Sequence, residues 1–212
     1  MSAGPGALKD RSGRVMLAGM ANPIHRLPLR AGHVCPWWLA YTFDNPVRRL
    51  LHRPEALFRG LVGPGQTAVD VGCGMGHFTL GLARMVGAEG VVVAVDLQEE
   101  MLERVRRRAE RAGLRDRIRL HRCDAGTLGV TVPADFVVAS WMLHEVPDRA
   151  AFLREVAGFM KPGARLFVAE PRGHVKAEAL ESAVSLAAAE GLEPVSRPRM
   201  AMSRAVVLRK AG

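Results

Sequence analysis

The apolar positions of this chain change their period along its length. Residues 67–71 are a short, mostly apolar run of strand length, and residues 91–95 are a second one, as expected of strands buried on both faces. Between them Phe78, Leu82 and Val86 recur at helical spacing, and Gly87 supplies the stop. Residues 98–112 place Met101, Leu102, Val105 and Ala109 on one helical face and arginines on the other. Glu99 and Glu100 fall in the first turn, where the helix dipole favours anions. Ile118 and Leu120 then alternate with arginines, the pattern of an edge strand.

The second half repeats the rhythm. A strand is predicted over 136–139, followed by a helix capped by Asp148 with Phe152, Val156 and Phe159 or Met160 inward. Lys161-Pro162-Gly163 ends that helix, and 165–169 is a further strand. Residues 176–190 predict a helix with Leu180, Val184 and Ala187 inward, closed by Gly191. Strands near 193–195 and 205–208 have no helix between them. A parallel crossover needs about a dozen residues, so these two must pair antiparallel or lie at opposite ends of the sheet. The whole pattern predicts an α/β fold with a mostly parallel sheet covered by helices on both faces.

Gly63-Pro64-Gly65 breaks the chain before this fold and sets the main domain at 63–212. Residues 33–62 read as an aromatic-rich cap, with Trp37, Trp38, Tyr41 and Phe43 close together and a short helix from Pro54 through Leu61. Residues 1–32 read as a basic tail. Its apolar stretch at 15–21 follows Lys9, Arg11 and Arg14, but Asn22-Pro23 interrupts it too early for a secretory signal. No apolar run reaches the roughly 20 residues that span a bilayer. Cys35, Cys73 and Cys123 are odd in number and widely spaced, which proposes neither disulfides nor a metal knuckle and points to a reducing, cytoplasmic setting. The net charge is +9, much of it within 104–122. That run reads as a solvated face, so nucleic acid ranks behind a small molecule as partner. The pattern specifies no oligomeric state.

The chemistry concentrates at three successive strand ends. Val69-Asp70-Val71-Gly72-Cys73-Gly74-Met75-Gly76 leads a strand through a glycine turn into a helix. Glycines at 72, 74 and 76 let the backbone approach a ligand closely. The spacing is G-x-G-x-G, not the G-x-G-x-x-G of pyrophosphate-binding loops; His77 stands where a further glycine would fall. Asp96 ends the next strand, where a carboxylate can accept hydrogen bonds from both hydroxyls of a ribose. Asp124 ends the third, placed to accept from an adenine amino group. A cap and a turn are the plain alternatives for these two aspartates.

Together these motifs resemble the class I S-adenosylmethionine-dependent methyltransferases. The likeness runs from about residue 63 to 210. Ala134-Asp135-Phe136-Val137-Val138, then Met142-Leu143-His144-Glu145-Val146-Pro147-Asp148 and Met160-Lys161-Pro162-Gly163-Ala164, resemble the small-molecule branch (methyltransferase type 11) that includes quinone-biosynthesis enzymes. The resemblance implies a Rossmann-like sheet of seven strands in order 3-2-1-4-5-7-6, strand seven antiparallel. It implies S-adenosylmethionine as cofactor, S-adenosylhomocysteine as product, and Asp70 near the methionine amino group. The expected cofactor contacts are Asp70, Gly72, Cys73, Gly74, Gly76, Asp96, Leu97, Met101, Asp124, Ala125, Ser140 and Trp141.

Ser140-Trp141-Met142-Leu143 stands where base and amide N-methyltransferases carry Asp-Pro-Pro-Tyr, and no acidic metal cluster ends the fourth strand. A metal-independent, in-line transfer to a small molecule is therefore expected. His144, Glu145 and His174 are the catalytic candidates, each with a structural hydrogen bond as the plain alternative. Trp37, Trp38, Tyr41, Met142 and Glu170 are expected to line the acceptor side. RNA or protein as acceptor, and a cofactor-binding regulatory domain without turnover, are the competing readings.

Overall fold

The computed structural model describes residues 50–212. Seven strands form one sheet in the order β3-β2-β1-β4-β5-β7-β6. β1 (Thr67–Val71), β2 (Val91–Asp96), β3 (Ile118–Arg122), β4 (Ala134–Ser140) and β5 (Met160–Pro171) are mutually parallel neighbours. β7 (Ser203–Lys210) runs antiparallel to both β5 and β6 (Leu192–Ser196). The missing helix between the last two strands is thus resolved by antiparallel pairing, with β6 at the sheet's far edge. This is the expected fold.

The uniformly apolar central strands bury both faces. Alternate residues of β4 and β5 divide cleanly: Val137, Ala139, Leu166 and Val168 join one core layer, Phe136, Val138, Phe167 and Ala169 the other. The first layer is closed by α4 (Arg149–Phe159) and α5 (Ala177–Ala189), the second by α2 (His77–Met85) and α3 (Glu99–Arg111). Asp148 caps α4 by accepting from the Ala151 amide at 2.9 Å.

Two expectations are corrected. The helix from Pro54, α1 (Pro54–Leu57), ends four residues short of Leu61. The reason is Phe58, fully buried with its ring 5.1–5.2 Å from those of Phe78, Phe136 and Phe167. Sinking that ring turns the chain out of helical register, and Gly60 adopts φ 73° to complete the turn. Lys161-Pro162-Gly163 follows the helix end as expected, but the strand predicted from 165 begins already at Met160, with these residues as its irregular start. Ala134 pairs with Met160 and Phe136 already with Arg165, so the extra residues loop out of the ladder as a bulge. Lys161 reaches from it to both carboxylate oxygens of Asp135 at 2.8 Å.

Candidate active site

The first strand end is built around a carboxylate. The Gly72 and Cys73 amides both donate to Val95 O, at 2.9 and 3.0 Å, which ties the loop to β2. Asp96, 8% exposed, then accepts the Gly74 amide at 2.9 Å on Oδ2 and the Gln98 amide at 3.0 Å on Oδ1. Burial pushes its carboxyl above the ordinary value, while the amides of Gln98, Gly74 and Leu97 pull it back. Cys73 Sγ adds a longer contact to Oδ2 at 3.9 Å, so the carboxylate gathers the glycine loop, the thiol and the start of α3 around the end of β2.

The three glycines of the loop do different jobs. A Cβ on Gly72 would meet Met142 Cβ and Cγ at 2.9 Å, and one on Gly76 would meet Val105 at 3.0 Å. These two give close packing of the β4 loop and of α3. Only Gly74 (φ 51°) faces open space. Arg108 brings α3 across to donate to Met75 O at 2.5 Å, and Thr79 of α2 donates to the buried Asp70 carboxylate at 2.5 Å. Cys73 lies within the same cradle. Burial, then the charges of Asp96 and Asp70, push its thiol well above the ordinary range, so it stays protonated. Burial, with Asp96 nearby, likewise holds Cys123 at about 11.

The next two strand ends complete one rim. Leu97 is half-buried beyond Asp96, and Met101 is buried in the first turn of α3. Asp124 and Ala125 are exposed after β3, in a turn where the Asp124 and Thr127 backbones bridge. That turn is held to α4 by Glu155, which accepts from Thr127 Oγ1 and from the amides of Leu128 and Gly129. Past β4 the backbone enters the left-handed region at Trp141, φ 62°, a conformation a bulky residue holds at a cost of about 1–3 kcal/mol. Its amide donates to Ala169 O at 2.8 Å and its indole to Ser203 Oγ at 2.9 Å, so the ring leans toward β7. Ser140 Oγ is buried and has no hydrogen-bond partner.

Beyond the ends of β4 and β5, His144, Glu145, Glu170 and His174 come together. A 3-10 turn, Leu143–Glu145, carries the first two. His144 Nδ1 lies 2.5 Å from Glu170 Oε2, Glu145 Oε1 lies 3.9 Å from His144 Nε2, and the rings of His144 and exposed His174 meet edge-to-face at 4.9 Å. Burial pulls the His144 imidazolium down, but the hydrogen bond and charge of Glu170, with Glu145 behind it, outweigh burial and Arg149 and raise its pKa. Met142 packs against Gly72 and so borders the glycine loop. Trp37, Trp38 and Tyr41 lie outside the described residues.

The structure also places residues that the sequence pattern did not single out. His52, fully buried, meets Ala201 O through Nε2 at 2.8 Å and sits edge-on to Trp141 at 5.6 Å. His77 Nε2 meets His52 O at 2.7 Å. Thus the chain just before α1 is tied to α2 and to the β6–β7 loop. No local signal announces these long-range contacts. Among the described residues no group of three His, Cys, Asp or Glu side chains could hold a metal, and no helix is long and apolar enough to cross a membrane. Several arginines of the basic run have partners within the chain. Arg106 and Arg107 bond Glu103, Arg108 bonds Met75 O, and Arg115 and Arg117 bond Ile118 O and Ala83 O.

Residues 63–199 match a family described as a methyltransferase domain. The chain is 32% identical over 110 residues to a demethylmenaquinone methyltransferase of Lactobacillus johnsonii, covering 51% of this chain and 45% of that one. It is 32% identical over 133 residues to a ubiquinone biosynthesis O-methyltransferase of Xylella fastidiosa, covering 62% and 53%. The chain thus spans about half the length of these relatives. In fold it is similar to a SAM-dependent methyltransferase from Aquifex aeolicus, with TM-score 0.74 and 23% identity over 83% of this chain and 99% of that one. A match over well more than half the chain, on a sheet whose glycine loop and acidic strand end meet as this family requires, makes the chain a member of the class I S-adenosylmethionine-dependent methyltransferase family.

Proposed function

We propose that this chain transfers a methyl group from S-adenosylmethionine to a small-molecule acceptor seated over the ends of β4 and β5. The observation that carries the reading is the open space at Gly74 beside the Asp96 carboxylate, which ends β2 and accepts the Gly74 amide itself. Such a pair fits a ligand that brings a close-lying backbone contact and two vicinal hydroxyls. The buried, unpartnered Ser140 Oγ borders the same rim and fits a polar ligand there.

In this reading Asp96 holds the ribose, and Leu97 and Met101 supply apolar contact beside it. Asp124 and Ala125 meet the adenine. Gly72, Cys73, Gly74 and Gly76 form the wall, and Asp70, Ser140 and Trp141 border the amino-acid end. When bound, the cofactor supplies a methyl group already activated on a sulfonium sulfur. The chain's own task is to hold the acceptor in line and exclude water, a contribution of about 7–11 kcal/mol to lowering the barrier. Met142, His144, Glu145, Glu170 and His174 would position the acceptor. Trp37, Trp38 and Tyr41 would close over it, where aromatic faces favour a cationic methyl donor by about 0.5–2 kcal/mol.

The names of the relatives make ring compounds of the quinone-precursor kind the acceptors to test first. Several arginines of α3 and the following turn, Arg106, Arg107, Arg108 and Arg115 among them, are engaged within the chain, which favours a small acceptor over RNA. Ser140, Trp141 and Met142 bring no carboxylate to the end of β4, which supports a metal-independent reaction. Calorimetry with S-adenosylhomocysteine, followed by mass spectrometry of a metabolite mixture given enzyme and isotope-labelled S-adenosylmethionine, tests the reading. Binding and one labelled small-molecule product are expected. No binding would overturn the cofactor assignment, and binding with label only in RNA or protein would overturn the acceptor class.

A further inference from the structure

Glu170, the penultimate residue of β5, is 3% exposed. One of its oxygens, Oε2, meets His144 Nδ1 at 2.5 Å; the other, Oε1, is buried without a hydrogen-bond partner. A buried carboxylate oxygen lacking a donor is costly, and packing alone does not explain its retention. With Nδ1 donating to Glu170, the ring's lone pair lies on Nε2. Glu145 is 3.9 Å from that atom, beyond hydrogen-bond reach. His144 and Glu170 line a crevice of about 10 Å³ with Leu143, Arg149 and Leu180.

The charged and titratable groups facing the imidazole are Glu170 from β5, Glu145 from the 3-10 turn, Arg149 from α4 and His174 from the loop before α5. α5 adds only apolar side chains, Ala179, Leu180 and Ala183, to the crevice. The two carboxylates strengthen the ring as a proton acceptor, and Glu170 also fixes its tautomer and orientation.

We propose that Glu170 and His144 form a proton-accepting couple in which His144 Nε2 takes the proton of the acceptor, and that the acceptor therefore reacts through an ionisable hydroxyl oxygen. The inference rests on the methyltransferase reading. The acceptor's O–H bond breaks, an N–H bond forms at Nε2, and the bonding pair stays on oxygen. That pair forms the new C–O bond while the methyl–sulfur pair returns to sulfur, leaving a neutral thioether. The imidazolium is held by Glu170 until its proton passes to solvent beside exposed His174.

The strength of the base selects the hydroxyl. A phenolic hydroxyl ionises near 10, within reach of a reinforced imidazole, whereas a carboxylic acid is already ionised at neutral pH and needs no base. A neutral aryl amine attacks through a lone pair it already has, so removal of a proton before transfer speeds the hydroxyl and not the amine.

The test uses the full chain, labelled S-adenosylmethionine, and matched benzene-ring probes bearing a hydroxyl, a thiol, an amine or a carboxylate. Label is expected on the hydroxyl, at a rate rising with pH along the His144 titration followed by ring NMR. His144→Gln should lower kcat about 100-fold. Glu170→Gln, nearly isosteric, should lower it about tenfold and move both the NMR midpoint and the pH–rate limb down together. Both variants should bind S-adenosylhomocysteine within twofold of the unsubstituted chain, which also shows that they fold. Label on thiol or amine only, no labelled probe despite cofactor binding, or an unmoved His144 midpoint in Glu170→Gln would overturn the couple. Failure of the unsubstituted chain to bind S-adenosylhomocysteine would instead overturn the methyltransferase reading beneath it.

Discussion

Replacing Asp96 by Asn separates the bracing of the glycine loop from the holding of a cofactor. In the structure both carboxylate oxygens are already engaged, one by the Gly74 amide and one by the Gln98 amide. Asn offers one carbonyl oxygen and an NH2, so one amide loses its acceptor at a cost of about 1–3 kcal/mol. Against that, burial raises the Asp96 carboxyl, so ionising it costs more in the folded chain than in the unfolded one. The sign follows from the raised value: this group favours the fold most below its unfolded pKa, and that contribution is lost as pH rises through the folded one. At pH 7 Asn therefore removes a cost as well as a bond. The two opposing effects leave Tm within about 4 °C of the unsubstituted chain, given about 2–4 °C per kcal/mol for a domain of this size. Cofactor affinity has no such compensation. Losing at least one charge-assisted bond to the ribose costs about 1.5–3 kcal/mol, a rise in Kd of about 10- to 150-fold. Calorimetry with S-adenosylhomocysteine and thermal unfolding on the same samples decide the matter. Unchanged affinity would refute the reasoning, because Asp96 would then serve only as a loop brace.

Gly74→Val and Gly76→Val should part in the same two assays. A Cβ at 74 meets nothing in the chain, so a side chain there enters the proposed ligand space and affinity should fall more than tenfold; both positions hold a left-handed φ that strains valine, but only at 76 does it also strike Val105, so Tm should fall by several degrees more there. The His144–Glu170 pair should stabilise the fold fully below the ordinary imidazole value and lose that contribution as pH rises through the raised one. Equilibrium unfolding across pH should show this slope in the unsubstituted chain, and His144→Gln should flatten it. Trp37→Ala with Trp38→Ala should reduce methyl transfer at least tenfold with a Tm change under about 3 °C; ready unfolding with normal turnover while folded would make these rings core instead.

The elements that position the site were legible because each is a local property of the chain. Apolar runs at 67–71 and 91–95 can only be buried strands when glycine turns and 3.6-period segments separate them, and Asp148 caps the helix that follows it. The G-x-G-x-G turn and the acidic strand end at Asp96 are likewise contiguous signals, and the fold joins them through the Gly74 amide and the Asp96 carboxylate. The division of labour among the glycines was not legible. Gly72 and Gly76 are dictated by Met142 and Val105, residues 70 and 29 positions away, and only packing reveals that Gly74 alone is open. The early end of α1 came from Phe58 seeking partners on two strands and a helix, a demand that local helix propensity does not contain. The same holds for the left-handed Trp141, pinned by Ala169 and Ser203, and for the pairing of His144 with Glu170 across 26 residues. The sequence alone determined which strands exist and which loops could bear chemistry, because periodicity and turn chemistry act over a few residues. The tertiary structure decided which polar atoms are partnered and which are left to a ligand, because that depends on burial and on contacts between segments far apart in the chain.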